Sequence, residues 1–204
     1  MTNTAGDKTP SSKEKILIAA ERLFYDEGIQ SVGIDRIIQE AGVAMNTLYK
    51  HFPSKDALVE QYLRDRDVRW RRWFMSYTRP QASLAENLLS LFEALNDWFH
   101  EAAFRGCAFI NAAGEFGDSH PDVFQISREH KELIYRDVLR LCVEAGIPDA
   151  ETLARRMMIL IEGAIVRAYL NDDREAAVCA KEVAAKLLPV DNLCEQGSGD
   201  HRRR

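Results

Sequence analysis

The 204-residue chain lacks any apolar run approaching the roughly 18 residues that a membrane span needs. Its opening stretch, Met1 to Pro10, is polar and lacks the apolar core of a secretory signal, so a cytoplasmic location is expected. Cysteine is sparse: Cys107, Cys142, Cys179 and Cys194 are widely spaced, with no Cys-x-x-Cys pair. That spacing reads as reduced thiols and argues against a disulfide framework or a zinc site. Also lacking are a nucleophile elbow, a metal-ligand cluster and a glycine-rich phosphate loop, so neither catalysis nor a metal or cofactor is expected. No internal repeat is evident, and no segment alternates with the period of a strand.

What is present is the composition of a globular protein, 46% hydrophobic and 29% charged, long enough for one or two domains with a full core. The net charge of −5, taken alone, argues against a nucleic-acid partner. Its distribution removes that objection. Residues 1–80 carry 13 Lys+Arg against 11 Asp+Glu, or +2, whereas residues 81–204 carry 14 against 21, or −7. The first part is mildly basic and can approach phosphate.

Apolar spacing is helical almost throughout and predicts an all-α fold. A first helix opens on a capping box, Ser11 with Glu14, carries Ile16, Ala20, Leu23 and Phe24 on one stripe, and stops at Gly28. A second, over 34–41, is expected to bury Ile34, Ile37, Ile38 and Ala41, with Gly33 as a weak cap. A third, over 44–52, turns Leu48 and Phe52 inward and sweeps Asn46, Thr47, Lys50 and His51 across the opposite arc, with Tyr49 on its flank. Pro53 breaks it and Ser54 caps a fourth helix, from Lys55 to about Tyr77. Beyond Pro80, helices are predicted at about 83–103, 106–117, 121–145, 150–171 and 173–188, separated by glycine- and proline-bearing breaks. The expected organisation is a disordered 1–10, a domain of short helices over 11–58, a connecting helix over 59–80, a helical domain over 81–190 and a disordered tail over 191–204.

Residues 41–58 carry the sharpest functional signal. A short helix ends at Ala41, turns at Gly42 and restarts as a second short helix presenting hydroxyl, phenol, ammonium and imidazole groups. Such an arrangement suits insertion into a DNA major groove. Residues 11–58 closely resemble the N-terminal domain of TetR-family transcriptional regulators, through Ala19-Ala20, Leu23-Phe24, Gly28, Ile37, Ala41-Gly42-Val43, Thr47-Leu48-Tyr49, His51-Phe52 and Ser54-Lys55-Asp56-Ala57-Leu58. Arg105-Gly106-Cys107-Ala108-Phe109-Ile110-Asn111 also resembles a motif in one branch of that family. Gly33 and Ala44 depart from the pattern, standing where the family often has Ser or Thr.

The resemblance implies a homodimer whose paired recognition helices enter successive major grooves of a palindromic operator, and a C-terminal domain whose small-molecule effector releases the DNA. It implies base contacts from Met45, Asn46 and Tyr49 and phosphate contacts from Thr47, His51 and Lys55, while Lys50 could reach either. Asn46 can donate and accept together, as adenine requires, and the Met45 thioether offers only apolar contact to a thymine methyl. The alternatives are packing between helices for Tyr49, a structural hydrogen bond for His51 and gap filling for Met45. The run Arg64 to Trp73 tempts as a basic-aromatic patch, but its distance from the helix start favours a solvated, salt-bridged connector with Trp73 and Phe74 turned inward.

An apolar or aromatic effector is expected from the residues available to line a cavity: Trp98, Phe109, Phe116, Phe124 and Met158, with Asn111, His130, Glu162 and Arg167 as polar candidates. Cys107, near Arg105, opens the alternative of a thiol that senses oxidants or electrophiles. A Cys107–His130 catalytic pair and a constitutive DNA-binding protein without effector are further alternatives. The dimer face is expected on the last two helices, at Met157, Ile161, Ala164, Ile165, Ala168, Ala176, Ala180, Val183, Ala184 and Leu187.

Overall fold

In the computed structural model of the chain, residues 9–188 are described. The expected disorder of both termini therefore lies almost wholly outside the described residues, as does Cys194. The helices are α1 (Ser12–Glu27), α2 (Ile34–Ala41), α3 (Met45–His51), α4 (Lys55–Met75), α5 (Leu84–Phe99), α6 (Ala108–Phe116), α7 (Pro121–Glu144), α8 (Ala150–Leu170) and α9 (Ala176–Leu187). A 3₁₀ turn, Gly117–Ser119, joins α6 to α7, and no strand occurs among the described residues. The fold is all-α.

The helix predicted over 83–103 stops early, at Phe99 with His100 as its C-cap. Phe104 is nevertheless buried, as a loop side chain.

Two compact units make up the chain, one from the N-terminus to Asp67 together with Ala108–Arg128, the other from Val68–Cys107 together with Glu129 onward. In the first, α1 begins with a capping box: the Glu14 N–H donates to Ser11 Oγ at 3.3 Å, and the Ser11 N–H donates to Glu14 Oε2 at 2.7 Å. Ile16, Ala20, Leu23 and Phe24 are buried along its inner stripe, and the Phe24 ring lies 5.5 Å from Tyr62. In α2 only Ile37 is buried; Ile34, Ile38 and Ala41, on the same stripe, are half-buried. Gly42 ends α2 in the left-handed region (φ 63°), where its N–H reaches Gln39 O and the Val43 N–H reaches Ile38 O. That reversal sends α3 off at an angle with Leu48 and Phe52 buried beneath it. Burial of each such side chain contributes about 1.5–3 kcal/mol.

In the second unit α5 packs against α8 and α9. Buried on these helices are Leu88, Leu91, Phe92, Leu95 and Phe99 of α5, Met157, Ile161 and Ile165 of α8, and the alanines Ala176, Ala177, Ala180 and Ala184 of α9. The small α9 side chains let its backbone approach its neighbours closely.

Candidate nucleic-acid interface and effector region

The α3 helix is anchored from below and open above. Leu48 is fully buried, while Met45, Asn46, Tyr49, Lys50 and His51 are exposed and Thr47 is half-buried. At 47% exposure the Tyr49 ring is not packed between helices, so the packing alternative for it falls. Neither Gly33 nor Ala44 supplies a side-chain cap. Ion pairs on the flank, Arg22–Glu40 at 2.6 Å and Arg36–Glu27 at 3.8 Å, are solvent-exposed and add at most about 1 kcal/mol each.

Lys55 opens α4 beside α3, and the preceding Ser54 hydroxyl accepts the Ala57 N–H at 3.1 Å. Burial pushes the Lys55 ammonium below the ordinary lysine value, opposed by the nearby carboxylates of Glu115 and Asp56. Glu115 comes from the last turn of α6. Its Oε2 accepts the Gln30 backbone N–H at 2.8 Å, and Gln30 Nε2 donates to the Glu115 carbonyl at 2.5 Å. His120 Nε2 lies 3.7 Å from Asp56 Oδ1.

The nine effector candidates divide between the units. Phe109, Asn111, Phe116 and Phe124 belong to the first, where Phe109 is buried and Phe124 is largely exposed under the Arg128 guanidinium. Trp98, His130, Met158, Glu162 and Arg167 belong to the second. There Trp98 and His130 are buried in a ring cluster centred on Trp70, whose indole stacks on Phe74 (4.7 Å) and meets Trp98 (5.4 Å) and His130 (5.6 Å) edge-on. Trp70 Nε1 is buried with no hydrogen-bond partner among the described residues. Glu162 faces Lys131 at 3.7 Å, and the exposed Arg167 pairs with Asp173 at 3.0 Å. A groove of about 330 Å³ also opens in this unit, lined by Tyr77, Arg79, Asn87, Glu93 and Lys181 among others. None of the nine candidates lines it, and its charged walls, with Lys181 2.6 Å from Glu93, do not suit an apolar effector.

The Arg64–Trp73 run is ion-paired, through Arg66–Glu21 at 3.2 Å and Arg71–Asp137 at 3.3 Å, but these pairs reach residues of α1 and α7 and do not run along its own helix as the spacing suggested. Phe74 is buried and Trp73 half-buried. Trp70, half-buried and not anticipated to turn inward, stacks with them; the i, i+3, i+4 spacing of Trp70, Trp73 and Phe74 was the available signal.

Among the thiols, Cys107 and Cys142 are buried and Cys179 is exposed. Burial pushes the Cys142 thiol up to about 11. No group of three His, Cys, Asp or Glu residues able to hold a metal occurs among the described residues, and no helix there is long and apolar enough to cross a membrane.

Of the expected dimer residues, Met157, Ile161, Ala164, Ile165, Ala168, Ala176, Ala180 and Ala184 are buried within the protomer and offer little surface to a partner. Only Val183 is exposed, and Leu187 is half-buried. The outer side of α8 instead carries Ile159, Gly163, Val166 and Leu170 at helical spacing, all exposed, and that of α9 carries Val178 and Val183. Helical periodicity finds an apolar stripe but not whether its neighbour belongs to the same chain.

The Gln30–Glu115 contact was missed as well, since it joins residues 85 positions apart.

A buried-backed α3 presenting polar side chains after a glycine turn defines a helix-turn-helix DNA-binding protein. Residues 16–62 match the family model described as "Bacterial regulatory proteins, tetR family", and residues 85–183 match "Tetracyclin repressor-like, C-terminal domain". A crystal structure of SCO4454, a TetR-family transcriptional regulator from Streptomyces coelicolor, is 31% identical with a TM-score of 0.78, covering 86% of this chain and 94% of that one. The HTH-type transcriptional regulator YjdC of Escherichia coli (strain K12) is 23% identical over 188 residues, 91% of this chain and 97% of that protein. The HTH-type transcriptional repressor KstR2 of Mycolicibacterium smegmatis is 30% identical over 89 residues, 42% of this chain and 43% of that protein. The chain belongs to the TetR family and is a DNA-binding transcriptional regulator.

Proposed function

We propose that the protein is a cytoplasmic repressor that binds a palindromic operator as a homodimer and is released by a small apolar or aromatic effector. The observation that carries the DNA reading is the exposed face of α3, where Met45, Asn46 and Tyr49 stand clear of the core to meet base edges. Thr47, His51 and Lys55 hold phosphates beside them, and Lys50 is within reach of either. The ring cluster around Trp70 supports the effector class: an aromatic ligand carrying an acceptor oxygen would bond the buried indole N–H. The apolar outer stripes of α8 and α9 supply the two-fold face. The repressor named among the relatives agrees with the sign of regulation.

Selection of genomic fragments bound by the purified protein, repeated with a panel of apolar and aromatic ligands, tests the whole reading. Recovery of a palindromic site, released by at least one ligand, is the expected result. Undiminished retention across the panel would favour a constitutive DNA-binding protein. The burial of Cys107 gives the thiol-sensing alternative no support.

A further inference from the structure

We propose that Glu115 is a positioning residue for DNA binding, its carboxylate holding the α1–α2 turn from α6 and thereby setting α2 and α3 in their DNA-contacting arrangement. The inference rests on the reading of α3 as the DNA-contacting helix. The contact is two-way: Glu115 Oε2 takes the Gln30 N–H at 2.8 Å while the Glu115 carbonyl takes Gln30 Nε2 at 2.5 Å. A charged acceptor makes the first of these the stronger kind of hydrogen bond. The carboxylate also lies against the turn: at Gly28, φ +88°, a Cβ would make ordinary contact, at 3.4 Å, with both Glu115 oxygens.

The two helices after the turn have little hold of their own. The α2 helix has eight residues and no side-chain cap at Gly33, and α3 has seven and none at Ala44. Helices this short take their position from tertiary contacts. The same carboxylate acts on Lys55 at the head of α4, and His120, five residues on, lies 3.7 Å from Asp56. Residues 115–120 thus touch the start of α2 through the turn and the start of α4 directly.

The test compares the wild-type chain with Glu115→Ala, Glu115→Asp and Glu115→Gln. The readouts are hydrogen exchange over residues 28–33 and affinity for the selected operator and a random duplex. Ala removes the acceptor and Asp retracts it by one methylene while keeping the charge; Gln keeps an acceptor and loses the charge. For Ala and Asp, turn exchange should quicken about tenfold or more, and operator affinity should fall about tenfold with random-duplex affinity nearly unchanged. Gln should restore protection and operator affinity to within about threefold of wild type. Should Ala fail to fold, Asp and Gln carry the same comparison. Wild-type discrimination in the Asp variant, or equal losses on both duplexes, would overturn the proposal. A Lys55→Ala protein with an unchanged salt slope would instead remove the phosphate reading and leave the role of Glu115 standing.

Discussion

Two side chains on neighbouring helices carry separable predictions about recognition. Asn46 is exposed near the start of α3, and Lys55 is half-buried at the head of α4. Asn46→Ala is expected to cost about 1–3 kcal/mol at particular operator positions and little on random DNA. Lys55→Ala should weaken every duplex alike and lower the salt slope by about 1. Anisotropy titrations across a salt series check both, and equal losses on both DNAs for both variants would contradict the division. Tyr77, in the second unit, makes a separate prediction about pH. Its hydroxyl donates to Asp97 Oδ2 at 2.7 Å, and that bond, with burial and the surrounding carboxylates, pushes the phenol from 10.0 up to about 12. The raised value favours the neutral donor, so its stabilising effect is complete below pH 10 and lost as pH rises through about 12. Ultraviolet titration should find a late-ionising component near 12 that is lost in Tyr77→Phe and shifted toward 10 in Asp97→Ala.

Among the connecting turns, two glycines with similar backbones have different reasons for being glycine. Gly42 has φ +63° with nothing within 4 Å of a would-be Cβ, whereas at Gly106, φ +75°, that Cβ would lie 2.9 Å from Tyr169 Cγ. Gly42→Ala should therefore cost only the left-handed strain, about 1–2 kcal/mol. Gly106→Ala should cost more, because the Tyr169 ring has to move as well. Urea midpoints at constant m rank the two, and the reverse order would refute the close-approach account. The α8 helix adds a lesson on stripes. It is apolar on two sides, and the side with the larger share of small and regularly spaced residues faces inward. Spacing drew attention to that side as a dimer face; packing against α5 and α9 had already used it.

For the molecule as a whole, the outer stripe is where assembly is expected to be decided. Ile159 is 72% and Leu170 73% exposed, with Gly163 and Val166 between them. Replacing both Ile159 and Leu170 by Glu should yield a monomer at micromolar concentration by sedimentation. It should also weaken operator binding, since two recognition helices about 34 Å apart need a dimer to hold them. Persistence of a dimer would move the interface elsewhere. The capping box at Ser11, the break at Pro53, the left-handed turn at Gly42 and the inward Leu48 were all readable along the chain. Each depends on residues within a few positions of one another, where backbone sterics and helical period act directly. By contrast, the Glu115–Gln30 clasp, the ring cluster at Trp70 and the fate of the two α8 stripes came only from the folded chain. Each depends on which distant surface arrives opposite a given side chain, and local periodicity carries no record of that.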